Sequence, residues 1–278
     1  MVNRRRFLQV IGAGGAAVML KSMIPATGLQ LLNPKTASSA VSTSHETKFG
    51  MVVDVGACIG CRQCVYACKE ENNVPDSPDQ MVWIDVFEMD IKHPVTEIHT
   101  VPPDHSKTDY EDSPKPEKWY LSKNCFHCEN PNCVKVCPVG ATFKSEDGIV
   151  EMDYDRCLGC RYCMSACPYN ARTFNWREPD PPENPNPEVP LRPKGVVEKC
   201  TFCVHRTRKG KLPKCVEVCP VGARHFGDMN EPESPVRRIL SNEFSFRLMD
   251  EMNTAPMLYY ISSGKKWLPD TETSGEEH

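Results

Sequence analysis

The sequence has no long hydrophobic run and no excess of positive charge. No stretch of its 278 residues approaches the roughly 18 uninterrupted apolar residues of a membrane-spanning helix, so the chain is not expected to cross a bilayer by itself. Lys and Arg number 33 against 37 Asp and Glu, which gives a formal net charge of -4 with the 8 histidines neutral. Because nucleic-acid binding depends on neutralising phosphates, no nucleic-acid partner is expected.

The sequence also lacks the motifs of several enzyme classes and of covalently bound haem. No Ser/His/Asp set, phosphate-binding loop or His-based metal motif can be assembled, so an independent enzyme with catalytic residues of its own is not expected. Covalent c-type haem needs a C-x-x-C-H motif. No such motif occurs, since the first C-x-x-C pair of each of four cysteine groups is followed by Arg62, Glu129, Arg161 or Val204.

Cysteine, by contrast, is abundant, with 16 residues in four groups of four and none left over. Groups one and three have the spacing C-x2-C-x2-C-x3-C, and groups two, three and four carry Pro after the last cysteine. In bacterial ferredoxins this spacing lets three thiolates bind one [4Fe-4S] cube while the fourth reaches a neighbouring cube. Four [4Fe-4S] clusters are therefore the predicted cofactors. The iron ligands predicted are, in chain order, Cys58, Cys61, Cys64 and Cys68; Cys125, Cys128, Cys133 and Cys137; Cys157, Cys160, Cys163 and Cys167; and Cys200, Cys203, Cys215 and Cys219.

Zinc and disulfide bonds are the two alternatives for these cysteines. Structural zinc takes two C-x2-C pairs, whereas three closely spaced cysteines followed by a fourth suit a cube better. Disulfides would suit an exported chain, yet repeated C-x2-C spacing makes poor staples and a chain of this length does not need them. His127 and His205 lie close to the cysteines, but the cysteine count leaves no vacant ligand position, so both are expected to pack or hydrogen-bond.

The groups are internal repeats that alternate along the chain. Groups one and three share Cys-x-Gly-Cys-Arg-x-Cys, and groups two and four share Cys-Val-x-Val-Cys-Pro-Val-Gly-Ala. A ferredoxin module joins two such groups, and groups two and three are the evident pair because only residues 138–156 separate them, with a short strand predicted after Gly148. Groups one and four then pair with each other. The fold class predicted is α+β, with two bacterial-ferredoxin-like modules, one nested in the other, and Pro-rich connectors.

Crossed ligation within each module predicts four sites. The x3 spacing carries the last thiolate of a group one helical turn onward, to the cube of the partner group. Sequential pairing of groups one with two and three with four is the rival. It would place the long segment 69–124 between two paired groups, whereas only residues 138–156 separate groups two and three. The sites are site 1 (Cys58, Cys61, Cys64 and Cys219), site 2 (Cys200, Cys203, Cys215 and Cys68), site 3 (Cys125, Cys128, Cys133 and Cys167) and site 4 (Cys157, Cys160, Cys163 and Cys137). With the modules end to end, the four cubes form a line.

The remaining segments complete the expected organisation. Alternation of apolar and polar residues predicts a strand over 81–87, and helical spacing predicts a helix over 236–251. Residues 255–261 are predicted to form a short closing strand. The basic segment 199–214 is predicted to be a solvated loop; the alternatives are that its charge raises the potential of a nearby cluster or docks a redox partner. The Pro-rich segment 178–193 is not expected to be helical, and either wraps a partner or acts as a passive strap. The domains predicted are residues 1–45 (signal and linker), 46–98 with 194–235 (outer module), 119–177 (inner module), 99–118 and 178–193 (insertion and connector) and 236–278 (C-terminal helix and tail).

The N-terminus resembles a twin-arginine export signal. Arg4 and Arg5 precede Arg6, Phe7 and Leu8, a weakly hydrophobic stretch follows at 10–20, and residues 38–40 are small enough for cleavage. The alternative is a basic N-terminus on an amphipathic helix. The twin-arginine pathway carries folded proteins, as a chain with a cofactor inserted in the cytoplasm requires. The localisation predicted is the periplasmic or exported side of the cytoplasmic membrane, where the protein is peripheral.

Three stretches around the cysteine groups carry a family resemblance. Residues 124–133, 199–203 and 226–235 read N-C-F-H-C-E-N-P-N-C, K-C-T-F-C and F-G-D-M-N-E-P-E-S-P. With the four groups, they make residues 50–262 similar to the four-cluster iron–sulfur subunit of the dimethyl sulfoxide reductase and polysulfide reductase families. The resemblance implies an electron-transfer subunit that relays single electrons. Its implied partners are an integral membrane quinone-interacting subunit of the polysulfide reductase type and a further redox subunit, either a cytochrome or a catalytic one.

The chain's own export signal departs from the better-known relatives, whose iron–sulfur subunits usually lack one. It points to relatives such as the periplasmic iron–sulfur subunit of the sulfite-reduction-associated transmembrane complex, which we favour, or those of nitrite-reduction, tetrathionate-reductase and quinone-reductase complexes. A free periplasmic polyferredoxin that shuttles electrons by diffusion is the alternative function. The connector and the insertion favour docked surfaces instead.

Overall fold

The computed structural model describes residues 46–75, 82–90, 118–180 and 182–264. The predicted export signal and most of the predicted insertion at 99–118 lie outside these ranges. The helices are α1 (Gln63–Glu71), α2 (Asn132–Lys135), α3 (Tyr162–Ser165), α4 (Val204–Thr207), α5 (Lys214–Glu217) and α6 (Pro235–Asn242), with a 3-10 turn at Asp250–Met252. The strands are β1 (Phe49–Asp54), β2 (Asp85–Asp90), β3 (Lys118–Lys123), β4 (Thr142–Lys144), β5 (Val150–Met152), β6 (Thr173–Phe174), β7 (Val197–Glu198), β8 (Arg224–Asp228), β9 (Ser245–Phe246) and β10 (Leu258–Ile261). In the part of the chain that the structure describes, no helix combines the length and the apolar character needed to cross a membrane.

A four-stranded sheet joins the two ends of the described chain. Its strand order is β8-β1-β10-β9, with β1 antiparallel to β8 and parallel to β10. Met51, Val52 and Val53 of β1 have no exposed surface, as expected of an apolar run in a central strand. Because β1 precedes group one and β8 follows group four, this sheet brings the flanks of these two groups together.

The C-terminal segment differs from its prediction. Helix α6 begins at Pro235, where the Ser234 hydroxyl caps it by accepting from the Arg237 amide (3.3 Å), but it ends at Asn242 and not at 251. The chain then extends into β9, which pairs with β10 and stacks Phe246 on Tyr260 (5.6 Å between ring centroids). Strand pairing thus overrides the helical spacing. The predicted closing strand is confirmed as β10, which lies between β1 and β9 in the sheet.

Three short hairpin-like pairs complete the strands. β2 pairs antiparallel with β3. The strand predicted over 81–87 begins later than expected, at Asp85. Lys118, the last residue of the predicted insertion, is the first residue of β3. Trp83 precedes β2 and is buried, with its indole N–H donating to Glu198 Oε2 (3.1 Å). The first apolar residues of the predicted strand therefore pack in the core and are not part of β2. β4 pairs with β5, and β5 confirms the strand predicted after Gly148. β6 pairs with β7.

The Pro-rich segment between β6 and β7 is fastened to the end of α1. The described residues of 175–196 form no helix or strand. The Asn73 amide donates to the carbonyls of Asn186 (2.9 Å) and Val189 (2.7 Å), and Arg192 donates to the carbonyls of Asn72 (2.7 Å) and Asn73 (2.8 Å). The segment therefore packs against its own chain, as a strap does.

Aromatic side chains join the regions predicted as inner and outer modules in one core. Phe126 of group two stacks on Tyr169, which follows group three (3.9 Å between centroids), and lies near Tyr260 of β10 (6.3 Å). His127 stacks on Phe202 of group four (3.7 Å). All five side chains are buried. The two regions therefore share a hydrophobic core.

Only part of the basic segment 199–214 is the solvated loop that the sequence predicts, namely the exposed residues 208–212. Lys199 is fully buried, and Arg206 binds Glu71 (3.1 Å). Arg208 binds Asp147 between β4 and β5 (2.8 Å). Charges that looked free in the sequence thus pair within the chain and link group four to the hairpin of the predicted inner module.

Candidate metal centres

A left-handed turn places the first cysteines of groups one and three. Gly60 and Gly159 have positive φ angles of 72° and 68°, and the arginine two residues after each glycine is also left-handed, at 56° and 63°. A Cβ atom at Gly60 would lie 2.3 Å from Cδ1 of Tyr120, and one at Gly159 would lie 2.3 Å from the carbonyl oxygen of Gly195. Both the conformation and the space therefore require glycine at these turns.

Short helices place the last two cysteines of every group. The third cysteine of each group lies in a helix, and the fourth lies in the last turn of that helix or two residues beyond its end. The fourth sulfur therefore lies about one helical turn after the third, as the x3 spacing predicts. The pairs are Cys64 and Cys68 on α1, Cys133 and Cys137 on or after α2, Cys163 and Cys167 on or after α3, and Cys215 and Cys219 on or after α5.

The four cysteines predicted for site 1 line one cavity. Cys58, Cys61 and Cys64 come from group one and Cys219 from group four; Arg224 lines the same cavity. The Cys219 thiol interacts electrostatically with those of Cys58 and Cys64, and its sulfur accepts a hydrogen bond from the Ala223 amide (3.2 Å). The structure therefore brings together sulfurs from opposite ends of the cysteine sequence.

The cysteines predicted for site 2 also lie together. The Cys68 thiol interacts electrostatically with those of Cys203, Cys200 and Cys215. The Asn72 amide nitrogen lies 3.6 Å from Cys68 Sγ and 3.5 Å from Cys203 Sγ, so one side chain bridges sulfurs from groups one and four. Hydrogen bonds to sulfur are one means by which proteins adjust iron–sulfur clusters.

The cysteines predicted for sites 3 and 4 are drawn from groups two and three. At site 3, the Cys128 thiol interacts with those of Cys125, Cys133 and Cys167. At site 4, the Cys163 thiol interacts with that of Cys157. Cys160 is exposed, and Cys137 Sγ accepts a hydrogen bond from the Thr142 amide (3.5 Å). The assignment of Cys137 and Cys160 to site 4 therefore rests on their spacing.

Burial makes eight of these sixteen sulfurs unfavourable as isolated thiolates. Loss of hydration, with repulsion between neighbouring thiolates, raises the pKa of Cys64 and Cys128 to about 12 and that of Cys203 to about 11. At Cys137, desolvation also acts to raise the pKa, but backbone amides led by that of Thr142 outweigh it and lower the pKa. Because metals bind thiolates, bound iron would supply the positive charge that the buried sulfurs need.

All sixteen cysteines are free thiols and so are available as ligands. Across the described ranges, no three His, Cys, Asp or Glu side chains converge as a single metal ion would need. This finding concerns single ions only, because the ligands of a cube bind different iron atoms at its corners.

Three buried cations lie beside the cysteines, and sequence reasoning missed two of them, Arg172 and Arg224. The third, Lys199, belongs to the predicted basic segment 199–214. Arg172, Lys199 and Arg224 are 3%, 0% and 4% exposed, and among the described residues no carboxylate pairs with any of them. A buried charge without a counter-charge is strongly unfavourable. Thiolate-bound clusters are anionic and would supply the counter-charge, so the residues present fit [4Fe-4S] groups. A signal existed in the sequence: each arginine is the fifth residue after the last cysteine of its group.

The two histidines pack and hydrogen-bond, as expected. His127 Nδ1 accepts from the Val150 amide (3.1 Å), and burial lowers its pKa well below the ordinary value, so the ring is neutral. His205 Nε2 lies 2.8 Å from Glu71 Oε1.

Electrostatic interactions between thiols of different predicted sites follow one order. The Cys64 thiol of site 1 interacts with Cys215 of site 2. The Cys200 thiol of site 2 interacts with Cys125 of site 3. The Cys163 thiol of site 4 interacts with Cys133 of site 3. The order of neighbours is therefore 1, 2, 3, 4.

Comparison with known proteins agrees with this chemistry. A family model described as a 4Fe-4S dicluster domain matches residues 116–180 and 190–229, and a second model with the same description matches residues 57–142. Together they cover all sixteen cysteines, and they bear out the prediction of four [4Fe-4S] clusters.

Three relatives show what kind of subunit this chain resembles. A Halobacterium salinarum protein, provisionally named as the iron–sulfur subunit of a dimethyl sulfoxide reductase, is 46% identical over 80% of this chain and 83% of its own length. The iron–sulfur cluster-binding subunit of menaquinone reductase from Nitratidesulfovibrio vulgaris is 39% identical over 80% and 91%. A polysulfide reductase component from Wolinella succinogenes is 34% identical over 77% and 94%. The chain therefore belongs to the family of iron–sulfur subunits of dimethyl sulfoxide reductase and polysulfide reductase type, as its sequence motifs predict.

Proposed function

We propose that this chain relays single electrons along sites 1 to 4, between a quinone-interacting membrane subunit and a second redox subunit of an exported respiratory complex. It is an electron-transfer subunit and not a catalytic one, as its relatives are. When bound, [4Fe-4S] clusters supply one-electron oxidation and reduction. The chain's own residues hold the four sites in order and compensate their charge.

The order in which thiols of different sites interact is the observation that carries this proposal. Each site has a thiol that interacts electrostatically with a thiol of the next site, from site 1 through to site 4. A relay needs such an order, because each site must pass its electron to a neighbour.

The sheet and the hairpin support nested modules with crossed ligands. β1 and β8 pair directly, which links the flanks of groups one and four. The β4–β5 hairpin fills the interval between groups two and three. Sequential pairing of groups one with two would not use the β1–β8 contact.

Exposed apolar side chains around group three favour a docked subunit over a freely diffusing polyferredoxin. Leu158, Tyr162 and Trp176 are 70%, 64% and 54% exposed, close in sequence to the exposed Cys160. Exposed apolar groups of this size suit a protein interface. One relative is a menaquinone reductase subunit and another a polysulfide reductase component. On this basis, the partners proposed are a quinone-interacting membrane subunit of the polysulfide reductase type and a further cytochrome or catalytic subunit.

Export by the twin-arginine pathway completes the proposal. Arg4 and Arg5 with the residues after them carry the resemblance to such a signal. The protein would then work at the periplasmic or exported face of the membrane. A subunit of the sulfite-reduction-associated type is the assignment we favour.

Purification of the native complex tests the function directly. After mild detergent extraction under anaerobic conditions, the chain is expected to co-elute with an integral membrane subunit, and to contain about sixteen iron atoms, four for each cube. Elution as a single soluble chain would favour the diffusing polyferredoxin. Zinc as the main metal, or iron for only two cubes, would contradict the relay.

A further inference from the structure

Two buried cations of this chain are paired with a carboxylate. Arg192 and Glu198 are 3.0 Å apart, with side-chain exposures of 1% and 0%. Lys123, also buried, lies 3.1 Å from Asp85. By contrast, among the described residues Arg172 and Arg224 have only neutral oxygen and sulfur acceptors besides the cysteine thiols around them.

Arg224 lies between sites 1 and 2. Its guanidinium donates to Asn124 Oδ1 (2.5 Å) and to the Ser122 hydroxyl, and it lines the cavity of site 1. The thiolates of Cys215, Cys64 and Cys200 interact with it electrostatically. Burial alone would lower the pKa of Arg224, but these thiolates outweigh burial and raise it. One cation thus faces sulfurs of two sites.

Arg172 occupies the matching place between sites 3 and 4. It donates to Thr142 Oγ1 (3.3 Å) and faces the thiols of Cys133, Cys163 and Cys125. Cys133 and Cys125 belong to site 3, and Cys163 to site 4. Its Nη2 atom, like Nε of Arg224, is buried with no hydrogen-bond partner in the described part of the chain.

The two arginines are equivalent in the internal repeat. Each follows the last cysteine of its group by five residues, after Cys-Pro-x-x-Ala. At the same position, group two has Thr142, whose amide binds Cys137, and group one has Asn73, whose side chain binds the Pro-rich strap. The arginine therefore occurs once for each pair of sites.

We propose that Arg224 raises the reduction potentials of sites 1 and 2 together, and that Arg172 does the same for sites 3 and 4. The inference rests on the proposed function, because it takes the four sites to hold [4Fe-4S] clusters. Arginine stays protonated at all working pH values, so its charge is permanent. In a poorly solvated interior, this charge favours the reduced cluster, which is more negative, over the oxidised one. Since each arginine faces two sites, both members of a pair shift in the same direction.

The test is a redox titration of the full chain, assembled with its clusters and followed by electron paramagnetic resonance. Arg224→Gln is expected to move two of the four midpoint potentials to more negative values, and Arg172→Gln the other two. Arg224→Lys and Arg172→Lys keep the charge and are expected to restore most of each shift. Arg238→Gln, which removes an exposed arginine of α6, is the matched control and should move none.

Each outcome decides between the proposal and its rivals. The proposal is overturned if both glutamine variants move the same clusters, if neither differs from the Arg238 control, or if the lysine variants shift as far as the glutamine ones. If a glutamine variant assembles fewer cubes, retention of all cubes by its lysine variant supports the role of charge, and equal loss in both shows a purely structural role. Iron and sulfide content is measured separately: wild-type protein without four cubes would refute the proposed function itself.

Discussion

Cys219 is the residue that most clearly separates crossed from sequential ligation. It lies four residues after Cys215 in group four, yet its thiol faces Cys58 and Cys64 of group one. The Ala223 amide, which donates to Cys219 Sγ, holds the sulfur in that orientation. A fourth thiolate that crosses to the partner group is what the x3 spacing predicts.

Replacing Cys219 by Ser should therefore alter site 1. We expect Cys219→Ser and Cys58→Ser to change the same paramagnetic resonance of the reduced protein, because both remove a ligand of one cube. Cys215→Ser should change a different resonance, that of site 2. If Cys219→Ser matched Cys215→Ser instead, the crossed scheme would be wrong.

Among the structural elements, the turns with left-handed glycines position the cysteines locally. Gly159 and Gly140 both have positive φ, 68° and 64°, and both belong to the predicted inner module. They differ in their surroundings: nothing lies within 4 Å of a Cβ at Gly140, whereas one at Gly159 would meet the Gly195 carbonyl oxygen. An alanine at Gly140 would therefore suffer backbone strain alone, whereas one at Gly159 would suffer both backbone strain and a steric clash.

Gly159→Ala is expected to destabilise the protein more than Gly140→Ala. Both changes cost about 1–2 kcal/mol for a left-handed alanine, and only the first also forces two backbone segments apart. Anaerobic denaturant titration, with iron retained as a second readout, compares them. Equal midpoints for the two variants would show that the Gly159 turn is not tightly packed.

The N-terminal segment carries a prediction of its own. Replacing Arg4 and Arg5 by Lys keeps the charge but should leave the protein in the cytoplasm, since the twin-arginine pathway reads the arginine pair. Immunoblots of periplasmic and cytoplasmic fractions measure this. Undiminished export of the lysine variant would count against the signal.

Local patterns predicted short strands better than the elements whose extent depends on distant contacts. The short strands β5 and β10 follow from a few residues of sequence and were confirmed. The helix expected to reach 251 ends at Asn242, because β9 pairs with a strand that comes later in the chain. Lys199 looked solvated among basic neighbours, yet its ammonium group donates to the carbonyls of Val150 and Cys200. Such burial depends on which segments pack together, which spacing does not encode.

At the scale of the whole molecule, the predicted modules are interlocked. The β8-β1-β10-β9 sheet, the aromatic core and the Arg208–Asp147 ion pair (2.8 Å) all connect segments far apart in sequence. Site 1 needs residues from both group one and group four. A relay built this way is complete only when the chain has folded.

An iron anomalous-scattering map from crystals of the anaerobically prepared protein would locate every cube. We expect four iron cubes in a line, in the order of sites 1 to 4. The cube at one end would be bonded by Cys58, Cys61, Cys64 and Cys219. Cys219 and Cys215 bound to the same cube, or cubes out of this order, would contradict the nested relay.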